Sequence, residues 1–129
     1  MIHQYVSIGL LFNEKNDVLI ALRPAHVLAP GLWEFPGGKV ELNETPETAL
    51  IREYHEEIGI EITQAEFLFS IVADDQPLTL HIFRIIHFKG NPQGKEQQEI
   101  RFVSISSISH YSFPKANTKV LSFLQSISE

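Results

Sequence analysis

The sequence predicts an α/β fold with a mixed sheet. Short apolar, β-prone runs alternate with segments of helical period. The stretch from Thr45 to Gly59 carries both a start and a stop signal for a helix. The 129 residues fit one domain, residues 1–129.

Residues 5–12 are apolar and read as a buried strand. Asn13-Glu14-Lys15-Asn16-Asp17 is a turn cluster, and Val18 to Leu22 reads as the returning strand of a hairpin. Pro24, Pro30 and Gly31 mark a loop over 24–31. Trp33 to Pro36 leads into Gly37-Gly38, read as a flexible corner, and Lys39 to Leu42 reads as a short extended segment. Thr45 suits the cap of the next helix, Pro46 its first position and Gly59 its C-terminal stop. Residues 60–72 and 78–88 are strand candidates joined near Asp74-Asp75-Gln76-Pro77. A polar loop runs from Lys89 to Gln98, and Ile100 to Ile105 forms a further strand candidate. Val120, Leu121, Phe123, Leu124 and Ile127 have a helical period, which places the last helix over 117–127. The expectation is about six strands and two or three helices.

Composition narrows the function. The chain has no cysteine, which excludes disulfides and thiolate chemistry. The N-terminal residues carry no secretory pattern, and no apolar run approaches the ~20 residues of a membrane helix. A soluble, cytoplasmic protein without a membrane partner is expected. The net charge of −6 argues against binding nucleic-acid polymers, which requires clustered Lys and Arg. It leaves room for a small phosphorylated ligand if a metal ion mediates between two acidic surfaces. The six histidines include no His-x3-His pair. His26 could approach a bound ligand from its loop but is expected in solvent, and His55 beside the acidic face described next.

Glu53, Glu56 and Glu57 stand at i, i+3 and i+4 of the helix that begins at Pro46, so they share one face. Like charges at this spacing oppose helix formation. They also crowd the helix C-terminus, where the macrodipole disfavours anions. A hard divalent cation such as Mg²⁺ or Mn²⁺ offsets both penalties. Leu50, Ile51, Tyr54 and Ile58 form an apolar stripe turned about 100° away, so the helix can pack on a sheet while the acidic face lines a cleft. Taken alone, such a stripe is more often a solvated surface.

The flanking residues change that reading. Gly38, Glu44, Arg52, Glu53, Glu56, Glu57, Gly59 and Ile60 spell Gly-x5-Glu-x7-Arg-Glu-x-x-Glu-Glu-x-Gly-Ile. This resembles the Nudix box, with one departure: Tyr54 stands where the family usually has an aliphatic residue. Leu32 to Glu41, the Gly94-Lys95-Glu96 loop and the Phe113-Pro114-x-Ala116-Asn117 segment are similar to the MutT branch of that family. The similarity covers nearly the whole chain.

The resemblance implies a Nudix-type α/β/α sandwich and a metal-dependent pyrophosphohydrolase. Its substrate would be a nucleoside triphosphate, cleaved to monophosphate and pyrophosphate with Mg²⁺, or with Mn²⁺ as substitute. Glu53, Glu56, Glu57, Glu96 and the Gly38 carbonyl would hold the metal. As general base, Glu53 ranks first, Glu96 second and Glu44 third, while Glu99 competes with Glu96 for its role. Arg52 would orient a carboxylate by bidentate hydrogen bonding. Gly37 and Gly38 lack Cβ and permit close backbone approach. Arg23 would reach the phosphates and Phe35 would pack on the base. Asn117 would read a purine edge, because an amide both donates and accepts. By resemblance, a branch that prefers cytidine nucleotides carries aspartate there.

Each role has a plain alternative. Glu96 and Arg23 suit the surface equally well, Phe35 suits the core, and Asn117 suits the cap of the last helix. The substrate implied is 8-oxo-dGTP, which makes the chain a monomeric nucleotide-pool sanitiser acting in mutation avoidance. A modified pyrimidine nucleotide is the alternative within enzymes. A non-catalytic Nudix-like module is the alternative outside them, but it would have lost box carboxylates that are all present here. An ordinary domain with an acidic helix leaves the fixed glycines unexplained.

Overall fold

A computed structural model describes residues 2–23 and 31–127. Residues 24–30, with most of the expected loop and His26, lie outside the described residues. The strands are β1 (Gln4–Leu10), β2 (Val18–Leu22), β3 (Trp33–Glu34), β4 (Gly37–Lys39), β5 (Glu61–Val72), β6 (Leu78–Lys89) and β7 (Ile100–Val103). The helices are α1 (Pro46–Ile58) and α2 (Thr118–Ile127), and two 3₁₀ turns cover Ile105–His110 and Lys115–Asn117.

Among the described residues there are two sheets where one was expected. The larger has the order β4-β1-β6-β5 and is mixed, because β1 runs parallel to β6. The smaller, β3-β2-β7, is antiparallel. The expected hairpin over 5–22 is therefore corrected. Its turn exists: the Asn13 side chain accepts from the amides of Lys15 and Asp17, and Phe12 bridges Val18. Beyond that bridge the strands separate into different sheets. β1 takes β4 and β6 as neighbours, and β2 takes β3 and β7.

The helix α1 forms as its signals direct. The Thr45 hydroxyl accepts from the Thr48 amide, and Gly59 ends the helix at φ 76° with its amide on the Tyr54 carbonyl. Leu50, Tyr54 and Ile58 are fully buried, packed on Leu11, Ile62, Phe83 and Ile85. Ala49 is buried with them, and Ile51 lies only at the margin. On the other face of the large sheet, Ile8, Leu10, Leu80 and Ile82 meet Val18, Ile20 and Val103 of the small sheet and Val120 and Leu124 of α2. The large sheet is thus held between two helices, the α/β/α arrangement expected.

Gly37 and Gly38 are not a flexible corner; they form β4, registered as Ile8↔Gly37 and Ser7↔Gly38. The extended segment expected at 39–42 is shifted back accordingly. The reason is steric. A Cβ on Gly37 would strike the Ser7 carbonyl, so only glycine allows this approach. The Ser7 hydroxyl donates to the Pro46 carbonyl at 2.7 Å, which ties β1 to the start of α1.

Gly59→Ala is expected to lower the unfolding free energy by about 1–2 kcal/mol, the cost of a left-handed residue with a Cβ. Urea denaturation at fixed pH measures this, and an unchanged midpoint would contradict the capping role.

Candidate active site

The box carboxylates gather around one guanidinium. Arg52 donates from Nε to Glu44 at 2.7 Å and from Nη2 to the same carboxylate at 2.9 Å. Its Nη1 donates to Glu53 at 2.6 Å and to Glu56 at 3.3 Å, and its Nη2 to the Lys39 carbonyl at 3.0 Å. The bidentate grip and the Glu41 amide hold the Glu44 carboxyl down to about 2. Such an anion is a weak base, which bears on its third-ranked place as general base.

Glu53 lies directly against β4. A Cβ on Gly38 would overlap the Glu53 carboxylate, so helix and strand approach this closely only because residue 38 is glycine. Glu57 points the same way. Burial pushes its carboxyl up, helped by Glu53 and, more weakly, by Glu34 and Glu96, to about 10.

Glu96 arrives from the loop before β7. That loop is fastened to the end of α1: the Lys95 amide and the Gln98 side-chain amide donate to the Glu57 carbonyl, and the Gln93 amide donates to Ile58. Carbonyls left open by the helix end thus recruit the loop. Glu99, the competitor of Glu96, is turned to Arg101 at 2.6 Å. His55 is exposed beside the acidic face.

A cavity of about 400 Å³ adjoins these groups and is lined by Arg23, Glu34, Phe35, Gly37, Gly38, Gln76 and Asn117, among others. Phe35 serves two purposes, since it is buried in the core, stacked on Phe113 at 4.9 Å, and also lines the cavity. Asn117 does not cap α2. Its Oδ1 is buried and has no hydrogen-bond partner, which leaves an acceptor at the cavity. Arg23 pairs with Glu34 at 2.9 Å.

Glu34 is the residue that sequence reasoning missed. Burial raises its carboxyl while Arg23 opposes the rise, and Glu96 adds repulsion. Its one sequence signal is a lone charge between Trp33 and Phe35, just before the glycine pair. Gln76 reads in the sequence only as a turn residue, yet it also lines the cavity. A second cavity of about 530 Å³, bordered by Phe12, Arg84, Ser104 and Phe123, contains no box residue.

The residues fit a divalent cation. Hard oxygen donors lie near one another around Glu57, whose carboxyl burial raises with help from Glu53, Glu34 and Glu96, and the glycine strand brings backbone to Glu53 without obstruction. Among the described residues, no three carboxylate or imidazole side chains stand together as a finished cage. Glu53 and Glu56 are held instead by Arg52.

Comparison with known proteins agrees with this geometry. A family model described as NUDIX domain matches residues 7–123. An 8-oxo-dGTP diphosphatase of Proteus vulgaris is 45% identical over 87 residues, 66% of this chain and 78% of that protein. A CTP pyrophosphohydrolase of Escherichia coli strain K12 is 34% identical, covering 88% of this chain and 86% of its own length. A MutT structure from a study of Aliivibrio salmonicida and Vibrio cholerae superposes with a TM-score of 0.88 at 35% identity, over 98% of this chain and 99% of that one. The chain belongs to the NUDIX domain family. Within it, this is a MutT-like Nudix hydrolase, of a family whose members act on small nucleotides and need a divalent metal.

The raised Glu57 carboxyl has a consequence for stability. Its folded value near 10 exceeds the ordinary 4.5, so its proton favours the folded state. That contribution is whole below about pH 4.5 and is lost as pH rises toward 10. Glu44 acts oppositely: its contribution is present above about 4.5 and is lost as pH falls toward 2. EDTA-treated protein is therefore expected to lose Tm between about pH 6 and about pH 9, and added Mg²⁺ to restore more at the higher pH. Differential scanning fluorimetry checks both signs.

Proposed function

We propose that the chain, as one domain over residues 1–129, hydrolyses 8-oxo-dGTP to 8-oxo-dGMP and pyrophosphate with Mg²⁺, for which Mn²⁺ substitutes. It acts as a cytoplasmic monomer on a free nucleotide, without a nucleic-acid polymer or membrane as partner. The observation that carries the reading is the cavity in which the unpartnered Asn117 Oδ1 and Arg23 share one space with the Gly37–Gly38 strand. A base bound beside Asn117 would direct its phosphates toward Gly38, which lies against the Glu53 carboxylate.

Glu53, Glu56, Glu57, Glu96 and the Gly38 carbonyl would hold a divalent cation, which when bound would neutralise the polyphosphate and lower the pKa of water. Glu53 takes the proton of the attacking water. The water oxygen forms a bond to phosphorus, the anhydride bond between the α- and β-phosphates breaks, and pyrophosphate departs. Arg52 holds the Glu53 carboxylate in place, with its far side braced by Glu44 and the Lys39 carbonyl. Arg23 exchanges Glu34 for a substrate phosphate. Phe35 packs on the base, and Asn117 offers donor and acceptor to the purine edge.

The CTP pyrophosphohydrolase relative favours a second reading, a pyrimidine triphosphate in the same cavity. A triphosphate panel with Mg²⁺ separates the two. The expected result is a kcat/KM for 8-oxo-dGTP at least about tenfold above those for dGTP and CTP. Preference for CTP would replace the purine reading and keep the hydrolase.

Two substitutions divide the roles. Glu53→Gln is expected to lower kcat by about 10²–10⁴-fold, the range for a lost general base. Asn117→Ala is expected to reduce discrimination between 8-oxo-dGTP and dGTP by about tenfold, with metal binding unchanged. An equal loss for every nucleotide would remove Asn117 from base reading.

A further inference from the structure

We infer that Tyr54 is a positioning residue whose hydroxyl sets where Glu53 and Glu57 stand relative to the glycine strand β4. The inference rests on the hydrolase reading for its kinetic arm and on geometry for the rest. The Tyr54 side chain is fully buried, and its hydroxyl donates to the Gly9 carbonyl at 2.6 Å. The Gly9 amide in turn donates to the Pro36 carbonyl at 3.1 Å. One residue of β1 therefore takes the acidic helix on its carbonyl and the turn before β4 on its amide. From Pro36 the chain enters Gly37 and Gly38, and Gly38 lies against Glu53, the neighbour of Tyr54. The contacts close a circuit: Tyr54 to Gly9, to Pro36, to Gly38, to Glu53, and back to Tyr54 through the helix.

The seat is fitted to the ring. A Cβ on Gly9 would stand 2.7 Å from Tyr54 Cε1, 2.9 Å from Leu50 Cδ1 and 3.0 Å from Ile85 Cδ1. An aliphatic side chain at position 54 would pack there but bring no donor. A phenol in such a place costs stability unless its hydroxyl is satisfied. Here that bond falls between two of the box glutamates. Two other polar ties join α1 to the large sheet among the described residues: Ser7 to the Pro46 carbonyl at the first turn, and Arg52 to the Lys39 carbonyl at the partly exposed side. The first fixes where the helix begins. The Tyr54 bond fixes its depth and rotation at the level of Glu53 and Glu57, where small displacements cost rate steeply.

The test is Tyr54→Phe, which keeps the ring and removes the hydroxyl. Three quantities are measured well below the melting temperature: Mn²⁺ affinity by EPR titration of free Mn²⁺, kcat and KM for 8-oxo-dGTP at saturating Mg²⁺, and Tm. The expected result is Mn²⁺ affinity weakened about fivefold and kcat lowered about tenfold, with KM within about twofold. A fall in Tm with Mn²⁺ affinity and kcat unchanged would reduce Tyr54 to a structural residue and overturn the inference. Should Tyr54→Phe fail to fold, Gly9→Ala combined with Tyr54→Leu refills the space without a donor. Wild-type Mn²⁺ affinity and kcat in that double variant would equally overturn it. The Mn²⁺ titration needs no nucleotide. A wild-type chain that cleaves nothing, beside a Tyr54→Phe variant with weakened Mn²⁺ binding, refutes the hydrolase reading and leaves the positioning role standing.

Discussion

The contact between the Glu53 carboxylate and Gly38 constrains everything around it. A carboxylate on a helix and the backbone of a strand occupy neighbouring space that any Cβ would fill. To permit this, β4 must lie on β1 in the register Ser7↔Gly38, and Gly37 must tolerate the Ser7 carbonyl on its other side. The helix must also arrive at a fixed depth, which the buried face of Leu50, Tyr54 and Ile58 supplies. Hydrophobic packing of one face thus sets the electrostatics of the other.

The electrostatic cost is handled locally. Among the described residues four glutamates surround Arg52, which satisfies them unequally: Glu44 is gripped at two points, Glu53 and Glu56 are each held at one, and Glu41 stands at 3.6 Å. Glu57 has no part in that set and faces Glu53, Glu34 and Glu96 instead. The division leaves the carboxylates on Arg52 braced, while Glu57 stands apart from them with its carboxyl raised chiefly by burial. At the helix end, carbonyls that would repel the same glutamates are covered by the amides of the 93–98 loop.

Much of this was legible in the sequence, because it follows from spacing along one chain segment. Thr45, Pro46 and Gly59 bound the helix, and the i, i+3, i+4 rule puts the glutamates on one face. What could not be read depends on distant partners. The splitting of β1 and β2 into separate sheets arises from pairing with β6 and β7, far along the chain. Gly37 and Gly38 suggest a flexible corner because glycine in isolation is flexible, yet the Ser7 carbonyl makes them a strand. Glu34 escapes notice because it has no spacing relation to the box, and only the folding of β3 brings it near Arg23 and Glu96. The unsatisfied Asn117 oxygen is visible only once α2 proves to begin without it.

Asn117 closes a 3₁₀ turn just before α2, on a different part of the chain from the acidic helix. The groups proposed for bond cleavage and the group proposed for base choice therefore belong to separate secondary structures, linked through Gly38, which lines the hollow beside Asn117 and lies against Glu53. A change in the turn can therefore reshape the hollow beside Asn117 without touching the packing that seats the acidic helix on the sheet.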